Sequence, residues 1–122
     1  MTSERLTTAR AALDLVLADV KRSGRPVRDH ASTLSAIADS AVSGVIDVHY
    51  GGHTFPLENE EMGEITATIA HHVQDDVIID FGSGWPMSAD GQRLLLPRVD
   101  QNGAAHWVDR DVVVAPIGSL PA

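Results

Sequence analysis

Apolar residues recur along the first twenty-odd positions at helical spacing. Leu6, Ala9, Leu13, Val16, Leu17 and Val20 fall three or four residues apart, which predicts an amphipathic helix over residues 4–23. Ser3 is placed to cap it, and Glu4 sits in the first turn, where the helix dipole favours an acid. Lys21, Arg22, Gly24 and Pro26 supply the stop signals. A second stripe follows, made by Leu34, Ile37, Ala38, Ala41 and Val42, between Asp29 as cap and Gly44 as terminator. A link of about five residues between the two predicts an antiparallel helical hairpin.

The period then shortens. Ile46-Asp47-Val48-His49-Tyr50 alternates like a half-buried strand, and Gly51-Gly52 can turn it back into His53-Thr54-Phe55, with Pro56 expected to end the return strand early. Glu58, Glu60, Glu61 and Glu64 load the start of a third helix, whose inward face is Met62, Ile65, Ile69 and Val73. Val77-Ile78-Ile79-Asp80-Phe81 reads equally as a buried strand or as more of that helix. Leu94–Val99, a turn at Asp100-Gln101-Asn102-Gly103 and Ala104–Val108 predict a β-hairpin. Val112-Val113-Val114-Ala115 predicts a further strand before Pro116.

Composition narrows the class. A chain of 122 residues with 43% apolar content is an ordinary single domain able to bury roughly two-thirds of its unfolded surface. Residues 1–23 are the one segment that could stand apart as a helical arm. No Cys is present, so disulfides, thiolate nucleophiles and Cys-based zinc sites are all excluded, and a reducing cytoplasm fits. No apolar run approaches the roughly 20 residues of a membrane span. Charge is uneven: residues 1–30 carry six bases and four acids, and residues 31–122 carry three bases and thirteen acids. A body this acidic repels phosphates and anionic membranes, so nucleic acid and membrane are not expected partners.

Candidate chemistry is sparse. His49 and His53 are four apart, but across a Gly51-Gly52 turn Tyr50 faces His53 and His49 faces Thr54, so the two imidazoles point to opposite faces and no metal site is expected. His71 and His72 are adjacent on a helix, about 100° apart, and do not share one ion readily. Either could work with Asp75 or Asp76 one turn on as an acid–base pair. No phosphate loop, nucleophile elbow or dinucleotide fingerprint is present, and no cofactor is implied. Trp85 and Trp107 are two of only five aromatic residues. Each is expected to fill the core, with a binding patch as the other reading of Trp85.

Gly84-Trp85-Pro86-Met87-Ser88, Leu94, Pro97, His106-Trp107-Val108-Asp109 and Val114-Ala115-Pro116-Ile117-Gly118 together resemble the C-terminal part of a group of small uncharacterised bacterial proteins. Those proteins carry Trp-Pro-x-Cys-Pro and Trp-x-Cys-Pro segments that look like the two knuckles of a zinc ribbon. The resemblance covers about forty residues. Here Ser88 and Asp109 stand where the cysteines would be, so the metal is replaced by packing, for which Leu94, Leu96, Trp107 and Val113 are the candidates. The group brings no activity with it.

The expected fold is therefore α+β: an N-terminal helical hairpin, a third helix, and a small antiparallel sheet with a C-terminal β-hairpin. The expected function is that of a cytoplasmic, non-enzymatic interaction or accessory (immunity-type) protein. It would bind a basic protein partner through the acidic face at Glu58, Glu60, Glu61 and Glu64, with Trp85 as a contact. The alternative is a small enzyme using His71 or His72 with Asp75 or Asp76. The first helix either joins two copies into a homodimer or packs on its own chain.

Overall fold

The apolar stripe of the first helix becomes one wall of the core. In the computed structural model, which describes residues 4–23, 46–50, 53–57, 61–82 and 84–120, helix α1 spans Glu4–Arg22 with Lys21 and Arg22 in its last turn. Ala9, Ala12, Leu13, Val16 and Val20 are buried along one face. That face packs against helix α2, Met62–Phe81; the second helix expected between Asp29 and Gly44 lies outside the described residues. The predicted seam is thus used within the chain: Leu13, Val16 and Val20 are buried there and Leu17 is partly covered.

The ambiguous run Val77–Phe81 is helical. α2 continues through it and closes at Gly82, whose left-handed φ of 68° lets its N–H reach the carbonyl of Ile78 at 2.8 Å. Helical burial runs on to Val77, while Ile79 faces solvent at 69% exposure. An apolar run of this length suits either element, and the glycine cap settles it for the helix.

The strands form two antiparallel sheets. β1 (Ile46–Tyr50) and β2 (His53–Leu57) pair as a hairpin, with Tyr50 opposite His53 and His49 opposite Thr54, as the sequence pattern implies. Pro56 does not end the return strand: it lies opposite Asp47, and β2 runs on to Leu57. A two-stranded sheet offers only edge positions, where a missing N–H is tolerated. Phe55 and Leu57 enter the core. The second sheet has the order β3-β4-β5, with β3 at Leu96–Val99, β4 at Ala105–Asp109 and β5 at Val112–Pro116. Leu94 stands outside β3 and makes an isolated bridge with Met87.

Three contacts lock the sheet to the helices. Asp19, on the buried stripe of α1, accepts hydrogen bonds from Trp107 Nε1 at 2.8 Å, Gly118 N at 2.7 Å and Leu120 N at 3.0 Å. Arg22 adds a fourth at 3.0 Å and also reaches the Gly118 carbonyl. From α2, buried Gln74 donates to the Leu95 carbonyl at 2.6 Å. Gly63, at the start of α2, lies so close to the β3–β4 turn that a Cβ there would sit 1.8 Å from the Gly103 carbonyl oxygen.

The hairpin is held from behind, by only one of the four residues the zinc-ribbon resemblance suggested. Of those four only Trp107 is buried, edge-to-face against Trp85 with ring centroids 5.4 Å apart. Leu94, Leu96 and Val113 are exposed. Leu95 and Ala115 fill the core instead. Trp85 precedes a cis peptide bond to Pro86 and is likewise buried.

Candidate functional site

The surface most at odds with its surroundings is β5. Its ladder with β4 steps from Trp107↔Ala115 to Val108↔Val113, so Val114 is an extra residue in a β-bulge. The bulge breaks the two-residue alternation. Ala115 turns into the core against Trp107, while Val112, Val113 and Val114 are 67%, 53% and 45% exposed in succession. Three adjacent β-branched apolar side chains facing water is a costly arrangement at roughly 25 cal/mol per Å². β5 is also an edge strand, and among the described residues it pairs only with β4. Among the described residues nothing pairs with its outer backbone groups, and such an open ladder is a template for another strand.

A cavity borders this edge on each side. The larger, about 380 Å³, is lined by Trp85, Pro86, Met87, Leu95, Val114 and Leu120, with Asp19 behind. It is an apolar cleft, and its one carboxylate is already occupied by four donors. The smaller, about 200 Å³, lies on the outer face of the sheet and is bordered by Val113, Val108, Arg98, Arg110, Asp111 and the Asp100–His106 pair. Arg110 holds a left-handed φ of 58° in the two-residue link between β4 and β5, which sets its side chain at the rim.

Asp100 organises the turn beside that second cavity. Its Oδ1 accepts the Asn102 N–H at 2.8 Å and the Ala104 N–H at 3.0 Å, and its Oδ2 lies 2.8 Å from His106 Nε2. The Ala104 amide, then His106, hold its carboxyl below the usual carboxylate range. With Nε2 donating to Asp100, His106 Nδ1 is buried and without a partner. The pair braces the turn through Nε2.

The segment before the sheet carries its own ion pair. Arg93 grips Asp109 in bidentate fashion, Nε to Oδ1 at 2.7 Å and Nη2 to Oδ2 at 2.8 Å, which holds the Asp109 carboxyl low and raises the guanidinium. The Arg93 N–H donates to Ser88 Oγ at 3.1 Å. Ser88 in turn donates to Asp90, and that bond, with the Gln92 amide, lowers the Asp90 carboxyl. Ser88 and Asp109, the two positions matched to zinc-ribbon cysteines, are thus joined through Arg93. Among the described residues no group of His and acids is placed to hold a metal.

The residues marked from the sequence are dispersed. Glu61 and Glu64 are exposed at the start of α2, while Glu58 and Glu60 lie outside the described residues. His71 is exposed, and His72 stacks on Phe55 with centroids 3.9 Å apart. The two imidazoles meet edge-on at 6.5 Å beside a shallow depression lined by Ala67, Thr68 and Pro97. Asp75 is exposed and Asp76 buried, and neither lines that depression. Trp85 supports the apolar cleft from within the core.

Sequence reasoning missed Asp19 and the β5 edge. Asp19 was visible in principle, as a lone acid on the stripe that includes Val16 and Val20. The bulge at Val114 has no such signal, because four apolar residues in a row read as an ordinary buried strand. No protein-family model, no curated protein and no solved structure matches this chain.

Proposed function

We propose that the protein is a non-enzymatic interaction module that works by binding another protein through its C-terminal sheet. The observation that carries this reading is the run of exposed Val112, Val113 and Val114 on an edge strand with an open ladder. Soluble domains blunt such edges with charge, proline or a covering element. Here no charge lies between Val112 and Ala115, and Pro116 and the bulge at Val114 still leave Val112, Val113 and Val114 exposed. The acidic residues Glu61 and Glu64, with the formal net charge of −8, act at longer range and favour approach by a partner with a basic surface. A cytoplasmic setting belongs to the same proposal and is supported by the absence of Cys. Among the described residues no helix is long and apolar enough to cross a membrane.

The acid–base alternative has less support. Catalysis by His71 or His72 needs a carboxylate and a substrate atom brought together in one enclosure. The depression beside them is shallow and contains neither Asp75 nor Asp76.

The test is in-cell cross-linking followed by affinity capture, with wild type and a Val113→Glu variant compared side by side. A partner enriched by wild type and lost from the variant, with unchanged circular dichroism, is the expected result. Identical cross-linked partners for both proteins would remove the sheet edge as the working surface.

A further inference from the structure

Resting on the interaction reading, we infer that the occupant of the β5 edge is an extended segment of another protein. It adds as a fourth strand, with side chains that alternate between large apolar and acidic, carried by a partner whose surface beyond that segment is basic. The alternation follows from the two cavities. Successive residues of a strand point to opposite faces of a sheet. A strand laid along β5 therefore sends one side chain to the face where Val114 meets Trp85, Met87 and Leu95. It sends the next to the face where Val113 meets Arg98 and Arg110. Main-chain hydrogen bonds supply the docking, and the two cavities supply the selection.

The first cavity takes an apolar side chain because its walls are apolar and Asp19 has no lone pair left for a newcomer. The second takes an acid because of its unspent cations. Residues 31–122 contain three basic side chains, Arg93, Arg98 and Arg110. Arg93 is consumed by Asp109. Arg98 and Arg110 form no ion pair among the described residues, although Arg110 lies near enough to Asp109 to help lower its carboxyl, and both border the cavity. The Asp100 carboxylate is turned to Asn102, Ala104 and His106, which leaves exposed Asp111 as the one uncommitted acid against two guanidinium groups. An incoming carboxylate gains a charge-assisted, bidentate partner that the chain itself does not provide.

A second copy of the chain is a poorer occupant. Its own β5, Val112–Pro116, carries no carboxylate to offer Arg98 or Arg110 across the pairing.

The experiment is fluorescence anisotropy with a labelled hexapeptide alternating leucine and glutamate. Saturable binding by wild type is expected, weakened at least tenfold in an Arg98→Gln, Arg110→Asn double variant. Asparagine tolerates the left-handed backbone at Arg110, so the fold is retained. A leucine–lysine hexapeptide should bind at least tenfold more weakly. Two N-methylated forms of the first peptide, one methylated on the leucines and one on the glutamates, test strand addition. Only one set of amides faces β5, so one form should lose binding and the other keep it. No binding by the leucine–glutamate peptide, equal binding by both methylated forms, or full affinity for the double variant or the lysine peptide overturns the inference. So does a dimer at tens of micromolar that Val113→Glu dissociates, which would assign the edge to a second copy. Loss of a cross-linked partner in Val113→Glu without peptide binding would leave the interaction reading standing and remove the strand-addition mode alone.

Discussion

Replacing Asp19 by Ala should destabilise the protein more than any other single polar substitution among the described residues. Its carboxylate receives Trp107 Nε1–H, Gly118 N–H and Leu120 N–H, all from the C-terminal third of the chain and all within 3.0 Å. Removing it strands three buried donors at about 1–3 kcal/mol each. Asp19 lines the neighbouring cleft, so water can enter once the carboxylate is removed and the low end of that sum applies, about 3–5 kcal/mol. For a domain of this length that corresponds to a fall in Tm of roughly 12–20 °C. Asp19→Asn separates hydrogen bonding from shape. One amide oxygen can still serve Trp107 and Gly118, but the amide nitrogen then faces Leu120 N–H, donor to donor, so an intermediate loss of about 1–3 kcal/mol is expected. The assay is urea unfolding followed by tryptophan fluorescence. A double-mutant cycle with Trp107→Phe, in which Trp85 remains as the probe, should give a coupling energy of about 1 kcal/mol. An Asp19→Ala protein that melts within a degree or two of wild type would refute the reasoning. It would mean that water replaces the carboxylate without penalty and that α1 is not tied to the sheet through this residue.

Three further outcomes follow from the same contacts. Trp107→Ala should cost about 3–5 kcal/mol in urea unfolding, because the ring is fully buried against Trp85; an unchanged midpoint would place the ring at the surface. Gly63→Ala should destabilise although Ala is the better helix former by about 1 kcal/mol, since its Cβ meets the Gly103 carbonyl at 1.8 Å; a gain in Tm would show that the turn moves aside freely. Asp109 and Asp100 have folded-state pKa values depressed by Arg93 and by the Ala104 amide respectively, so their contribution is present above the ordinary carboxylate pKa of about 3.9 and is lost as pH falls below it. An acid titration of stability should therefore show a drop beginning near that value and smaller in Arg93→Gln; identical acid profiles would show that the Arg93–Asp109 pair does not couple to folding.

Much of the fold was legible because it depends on local periodicity. The stripe from Ala9 to Val20, the inward set Ile65, Ile69 and Val73, and the turn at Asp100–Gly103 each carry their structure in a few residues, and each appears as the pattern implies. The pairing of Tyr50 with His53 followed from turn length alone. What failed needed distant information. The parity of Leu94–Leu96 was misread, because three leucines in a row say nothing about which one faces inward. Leu95 does, drawn in beside Gln74 from a helix twenty-one residues earlier. Pro56 was overweighted as a breaker because the sequence does not show that β2 belongs to a two-stranded sheet.

The surface proposed to bind a partner is hidden in the sequence for a sharper reason. Residues that bind a partner by adding a strand need no special chemistry, only apolar side chains on a ladder that the chain leaves open. Val112-Val113-Val114-Ala115 has the composition of a buried central strand, and the difference between central and edge is decided by which other strands the chain supplies. Here β3 and β4 occupy one side and nothing among the described residues occupies the other. The acids and histidines that drew notice in the sequence are reactive types placed on separate faces. The two arginines that matter, Arg98 and Arg110, become a pair only because β3 and the β4–β5 link flank the same hollow on the outer face of the sheet. The role proposed for them is a property of the sheet's open topology, and so is the proposed selection of an acidic side chain on one face and an apolar one on the other.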